Sequence, residues 1–399
     1  MRKLLRAHGP EIHQKSILKR HKGLTIGGLL LFFMALFFVA RLNSLYSHIN
    51  TRSDRWAKPI PKEKKVFNLL VMGYGGPGHD GAYLTDTMIF ISVDTEHKRA
   101  VVVSIPRDIW VQIPTNDGEL FMRKINSAYQ TGLFKKNYPA VLDKYAGEQG
   151  AGDLVKSIVG SIAGQPLDYY LAIDFDGFKR AVDTLGGVEM HVKRSFTDVE
   201  YPIDGKEDDL CGLDPTDITG FDEREKIATK SPVLAYPCRY ETLHFDSGKQ
   251  LMNGETALKF VRSRHAPEDG GDFNRARRQQ LFMEALRDRI LNVGFLPKVL
   301  PLLNDLEASV RTDMPVEFIQ RMIGEAPSAS DYAVQHIVLT TDNYLQETYS
   351  EDRQYILMSR DGADSWKGLH DDLKLYMKGI TLTPKPTIVP SKTPAKKRS

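Results

Sequence analysis

Twenty residues, Val261 to Gln280 (VRSRHAPEDGGDFNRARRQQ), hold five arginines, Arg262, Arg264, Arg275, Arg277 and Arg278, with a central acid, Asp272, and a glutamine pair. At about 100° per residue, Arg275, Gln279, Phe282 and Leu286 fall on one face of a helix. Phe282, Ala285, Leu286 and Ile290 mark that face as the one turned to the core, so Arg275 and Gln279 point inward with them. A guanidinium on an inward face is costly unless an anion meets it. Arg277 lies on the far side and reads as solvated. Asp272 is expected to cap the helix, which sets the first-turn N–H groups and the positive dipole end beside the arginines. Such an arrangement suits the holding of a phosphate or diphosphate.

A second group precedes it. Ser104-Ile105-Pro106-Arg107-Asp108 ends an apolar strand. Pro106 stops the ladder and throws Arg107 and Asp108 out at the carboxyl end, where open α/β sheets place ligands. Arg107 is expected to touch phosphate, with Asp108 orienting it. The glycine-rich stretch Gly73–Leu84 lets backbone N–H groups approach an anion, but it lacks the lysine and serine of a P-loop. Asp86 opens the next strand; alone it is a cap or turn residue, and beside a diphosphate it becomes a candidate Mg²⁺ ligand. Lys124 adds a further positive group. His79 and His265 have no orienting partner, and no Ser/His/Asp set emerges.

The elements that must position these groups alternate. Phe67–Met72, Thr87–Val93 and Ala100–Ile105 are apolar runs rich in β-branched residues, as buried strands are. Asp153–Ala163 and Phe175–Leu185 read as helices, with strands at Tyr169–Ile173 and Val188–Val192. A short helix, Glu255–Arg262, precedes the long one at 273–292. Val334–Thr340 and Tyr355–Ser359 are late strands, and Trp366–Met377 is a last helix. Residues 195–247 read as acidic loop. This is an α/β chain whose sheet is covered on both faces. With 399 residues and 41% hydrophobic content it can bury a full core. Its formal net charge of +3 is too small to argue for nucleic acid; the partner should be a local anion.

Leu24 to Ala40 is an uncharged apolar run bounded by Lys22 and Arg41, at the lower length limit for a membrane span. A cleaved signal peptide is the alternative, yet no A-x-A-like site follows. Seven basic residues against Glu11 precede the run, which places residues 1–23 in the cytoplasm and the chain beyond Arg41 outside. The expected organisation is a span at 24–41, a linker at 42–65, an extracytoplasmic domain at 66–380 and a disordered Pro/Thr/Lys tail at 381–399. Cys211 and Cys238 then lie in an oxidising compartment, where a disulfide is reasonable and two free thiols are the alternative. No cysteine or histidine grouping has zinc-site spacing.

Taken together, these residues resemble the LytR-CpsA-Psr family of membrane-anchored cell-wall enzymes. The likeness lies in Asn68–Gly73, Thr85–Met88, Val103–Asp108, Lys124–Tyr129, Asp168–Tyr170, Val182–Val188, Leu251–Arg264 and Asp272–Gln280, in the family's order over roughly 66–295. The resemblance implies a three-layer α/β/α fold with a mixed central sheet and a long apolar groove for a polyprenyl chain. It implies transfer of a glycopolymer phosphate from a polyprenyl-pyrophosphate carrier to peptidoglycan at the membrane. By motif position, Lys124, Arg262, Arg264 and Gln279 hold the pyrophosphate with Arg107 and Arg275, and we count Arg278 with this set. Arg107, Asp272 and Arg275 are the expected catalytic residues, Asp272 lying near the attacking hydroxyl or orienting the arginines. Asp86 is the expected ligand for Mg²⁺ (or Mn²⁺). Two departures stand out: Gly75 and Leu84 occupy positions where the family often has an aspartate and an arginine, and Asp80 is the candidate replacement carboxylate. Hydrolysis of the same diphosphate, or non-catalytic lipid binding and regulation, are the rival readings.

Overall fold

The computed structural model describes residues 44, 46–51, 64–213, 232–292, 306, 308–325 and 330–382. The expected span at 24–41, the cytoplasmic segment, most of the linker and nearly all of the tail lie outside these residues. Among the described residues no helix is long and apolar enough to cross a membrane. The chain divides into Met1–His48 and Ile49–Ser399, and every element named below belongs to the second unit.

The strands are β1 (Val66–Tyr74), β2 (Thr85–Asp94), β3 (Arg99–Ser104), β4 (Trp110–Gln112), β5 (Met122–Lys124), β6 (Tyr169–Asp174) and β7 (Val188–Val192). They continue with β8 (Phe196–Pro202), β9 (Tyr240–Phe245), β10 (Gly248–Met252), β11 (Val310–Thr312), β12 (Ala333–Val338), β13 (Leu345–Tyr349) and β14 (Tyr355–Ser359). The helices are α1 (Ala128–Leu133), α2 (Gly147–Ala163), α3 (Phe175–Thr184), α4 (Pro232–Ala235), α5 (Gly254–Arg262), α6 (Asp272–Asn292), α7 (Val316–Glu325) and α8 (Lys367–Met377).

Six strands make the central sheet in the order β11-β6-β1-β2-β3-β12. β1 runs parallel to β6 and antiparallel to β2, while β3 runs antiparallel to β2 and parallel to β12. The mixed sheet is therefore as expected. Strand alternation sends Leu70, Met72, Phe90 and Val103 to one face, where they pack with Leu154, Val155 and Ile158 of α2 and Leu369 and Leu373 of α8. The opposite face carries Val71, Gly73, Thr87, Ile89, Leu171 and Ile173. There a second core, including Phe175, Val182, Leu258, Val261 and Phe282, joins α3, α5 and α6. Val71 and Leu171 keep partial exposure although their strands are central, because this second core does not fill the face.

Two expectations are corrected. The supposed acidic loop contains β8 and β9, which pair antiparallel from Phe196↔Phe245 to Pro202↔Tyr240. Helix α2 starts at Gly147 rather than Asp153. Its early glycines look like breakers, but a Cβ on Gly152 would sit 2.1 Å from the Tyr170 ring, and one on Gly150 2.3 Å from the Tyr145 carbonyl carbon. Close approach, not flexibility, requires them. Cys211 and Cys238 form a disulfide.

Candidate active site

Between the less filled face of the sheet and helices α3, α5 and α6 lies a cavity of about 550 Å³. Most of its wall is apolar: Val71, Ile89, Leu171, Ile173, Phe178, Val182, Phe282, Met283 and Leu286. Asp86, Arg107, Arg262, Arg264, Arg275 and Gln279 also line it. Arg107 follows the carboxyl end of β3, and Asp86 opens antiparallel β2 at the same edge of the sheet. That edge is where the carboxyl ends of β1, β3 and β6 meet, the usual ligand position of such sheets. The inward helical face expected for Arg275, Gln279, Phe282 and Leu286 is the face that α6 presents to the cavity. Arg277 is exposed, and its Nη1 donates to Asn274 Oδ1 at 2.6 Å.

The cations are linked through few carboxylates. Arg107 Nη1 donates to Asp86 Oδ1 at 2.6 Å, while its Nε is buried without a hydrogen-bond acceptor, 3.6 Å from Asp108 Oδ2. Lys124 Nζ donates to Asp108 Oδ1 at 2.6 Å. Lys124 thus stands one carboxylate behind Arg107 and does not line the cavity. Asp272 Oδ1 lies 3.0 Å from Arg275 Nη2 and 3.9 Å from Arg264 Nη1. Burial opposes the charge of Asp272, but Arg275, Arg107 and Arg264 prevail and hold its carboxyl below the usual range. Burial works against the charge of Arg275 too, opposed by Asp272 and reinforced by Arg107, so its pKa is lowered. Three guanidiniums and the Lys124 ammonium share three carboxylates, Asp86, Asp108 and Asp272, which leaves one positive charge in excess beside the cavity for an anion to meet.

The backbone that carries Arg264 is anchored by a residue that sequence reasoning missed. Asp198, fully buried on β8, accepts from Ser263 Oγ at 2.7 Å and from the N–H groups of Arg264 and His265 at 3.0 and 3.1 Å. Burial disfavours its charge; the hydrogen bonds of Ser263, His265, Glu200 and Arg264 outweigh that and lower its pKa. The alternating Phe196-Thr197-Asp198-Val199-Glu200-Tyr201 was the available signal, hidden by the acidic composition around it. Arg262 lies over the Phe175 ring at 4.2 Å and meets Asp204 at 3.3 Å. Gln279 Nε2 donates to Thr87 Oγ1 at 2.8 Å, tying α6 to β2.

Three expected placements differ. Arg278 is buried away from the cavity, where it donates to Phe260 O at 3.0 Å, to Asp269 O and Oδ2 at 2.6 Å each, and to Ser263 O. A helix rotates about 300° over three residues, but the carbonyls ending α5 capture this guanidinium before it can reach the diphosphate side. Asp80 is exposed and lines no part of the cavity. Asp272 is the first residue of α6 rather than its cap, since Arg275 N–H donates to Gly271 O at 3.0 Å. At Gly75 a Cβ would crowd His79, approaching its Cβ to 3.0 Å. His79 folds back against Phe175, ring centroids 5.4 Å apart, with Nδ1 3.5 Å from Asp204.

As a ligand for a divalent ion, Asp86 fits: it lines the cavity and offers a hard oxygen beside Arg107. Asp80 does not. Among the described residues the one group of three possible metal-ligating side chains is Asp209, Cys211 and Cys238, and its sulfurs are joined to each other.

Over 305 residues the chain is 27% identical to the polyisoprenyl-teichoic acid–peptidoglycan teichoic acid transferase TagV of Bacillus subtilis (strain 168), covering 72% of this chain and 63% of that protein. It is 23% identical over 288 residues to the transferase TagU of Oceanobacillus iheyensis, covering 71% of each. The crystal structure of B. subtilis TagV superposes with a TM-score of 0.52 at 21% identity, over 80% of this chain and all of that one, which establishes the shared fold. The model of the LytR_cpsA_psr family matches residues 36–368, and the chain belongs to that family.

Proposed function

We propose that this protein is a glycopolymer phosphotransferase that moves a glycopolymer phosphate from a polyprenyl-pyrophosphate carrier to peptidoglycan. One observation carries the reading: Arg107, Arg262, Arg264 and Arg275 converge on one cavity whose remaining wall is mostly apolar. A diphosphate joined to a long hydrocarbon has the complementary chemistry at both ends. The apolar wall takes the prenyl chain, and the guanidiniums take the phosphates with charge-assisted, partly bidentate bonds.

In the reaction, a hydroxyl of the acceptor glycan attacks the sugar-side phosphorus. A new P–O bond forms as the bridging P–O bond breaks, polyprenyl phosphate departs, and the hydroxyl proton passes to solvent or to a nearby carboxylate. Alignment and charge neutralisation dominate such chemistry. Asp272, held below the ordinary carboxylate range, is a weak base. Its stronger role is to orient Arg275 and Arg264. Asp86 would hold Mg²⁺ or Mn²⁺, which when bound supplies further neutralisation of the diphosphate. A membrane span at 24–41 would anchor the chain in the membrane that carries the lipid donor, with the catalytic domain extracytoplasmic.

The test is transfer by the purified full-length chain from a polyprenyl-pyrophosphate-linked glycan to peptidoglycan. Covalently joined product is expected. Free glycan phosphate alone would make the protein a hydrolase, and no turnover with intact lipid binding would make it a binding protein.

A further inference from the structure

We propose that Tyr349 and Tyr355, paired across the β13–β14 hairpin, form the platform on which the acceptor glycan stacks; this rests on the transfer reading above. The hairpin is fastened directly to the reacting edge. Leu357 N–H donates to Asp108 O at 3.0 Å, and Leu357 bridges Ile109 in parallel register. Leu345 and Leu357 on one side of the hairpin are buried in the core. Tyr355 precedes Leu357 by two residues and so continues that same side outward, opposite Tyr349.

Both rings are available. Tyr349 is 70% exposed and Tyr355 37%, with centroids 6.3 Å apart at 79°. Exposed Glu347 is hydrogen-bonded to the Tyr355 side chain and keeps further carboxylate lone pairs for a sugar hydroxyl. A pyranose ring has apolar C–H faces and polar edges, so an aromatic pair flanked by a carboxylate meets both parts. Burial first, then the charge and hydrogen bond of Glu347, push the Tyr355 hydroxyl up to about 12.

Direction decides which sugar it is. Entering and leaving oxygens are roughly in line in phosphoryl transfer. The cavity takes the departing lipid phosphate, so the acceptor hydroxyl arrives from the other side of the arginines. Asp108 and Asp272 do not line the cavity, and Tyr355 lies two residues before Leu357, whose backbone is bonded to Asp108 and bridges Ile109.

Full-length chain in detergent tests this with a β-1,4-linked N-acetylglucosamine tetrasaccharide, read by saturation-transfer NMR, and geranylgeranyl diphosphate, read by thermal shift. Saturation of the sugar C–H protons is expected with the unaltered chain. Tyr349→Ala and Tyr355→Ala should each weaken glycan binding about three- to tenfold, Tyr349→Trp should retain it, and all three should keep the diphosphate shift. In transfer assays the alanine variants should raise the KM for acceptor and not that for donor. Absent saturation in the unaltered chain, undiminished binding in both alanine variants, or a raised donor KM instead would overturn the platform. A missing diphosphate shift in the unaltered chain would strike the transfer reading itself.

Discussion

The guanidinium of Arg275 lies 3.0 Å from the carboxylate of Asp272, one turn earlier on α6; the arginine is buried and the acid about one-third exposed. Asp272 is shared with Arg264 at 3.9 Å, so removing it leaves buried positive charge without its counterion. Asp272→Asn should therefore cost about 2–4 kcal/mol of stability. It should also tighten pyrophosphate binding, because the ligand replaces the lost anion, while transfer slows because the arginines lose their orientation. Urea unfolding with and without pyrophosphate measures the first two effects. A variant as stable as the parent, or one that binds pyrophosphate more weakly, would contradict this account of the pair.

Arg275 and Arg278 are three residues apart and should fail in different ways. Arg275→Ala, like Arg107→Ala, is expected to lower transfer by about 10³–10⁵, by analogy with arginine fingers, in a chain that still folds. Arg278→Ala strands Asp269 and the Phe260 and Ser263 carbonyls, so about 3–5 kcal/mol of stability should go instead. Transfer per folded molecule and thermal midpoints together separate the two. Equal loss of transfer per folded molecule would return Arg278 to the site.

Acid should unfold the domain through identifiable carboxylates. Asp198 and Asp272 both have pKa values below their unfolded value of about 3.9. A depressed carboxyl contributes stability that is fully present above the unfolded pKa and is lost as pH falls through the folded one. Unfolding free energy should thus stay level between about pH 5 and 7 with respect to these groups and drop below about pH 4. Asp198→Asn should be less stable at neutral pH and show a shallower acid limb; a limb of unchanged slope would remove Asp198 from this explanation.

Gly152→Ala poses two effects of opposite sign. Alanine is the better helix former by about 1 kcal/mol, but its methyl would meet the Tyr170 ring at 2.1 Å in a close-packed core. Overpacking of about 1–3 kcal/mol should prevail, giving net destabilisation. Gly324→Ala on α7, with nothing within 4 Å of the new atom, should be neutral or stabilising by up to about 1 kcal/mol. Thermal denaturation of both variants decides it, and a stabilised Gly152→Ala chain would disprove the contact.

Much of the site could be read before folding because it depends on local periodicity. The 100° spacing alone set Arg275, Gln279, Phe282 and Leu286 on one face of α6, and all four line the cavity. Apolar runs located β1, β2 and β3, and Pro106 located the edge from which Arg107 emerges. These features need only the chain's own geometry.

Contacts between distant segments were beyond that reach. Whether Arg278 met a diphosphate or the carbonyls of Phe260 and Ser263 depended on where α5 ends relative to α6. Asp198 became an anchor only when β8 passed beside Ser263, 65 residues later in the chain. The crowding at Gly152 exists only because Tyr170 of β6 packs against α2. Periodicity determines which way a side chain leaves its own helix or strand, whereas its partner is decided by packing among segments that no local pattern relates.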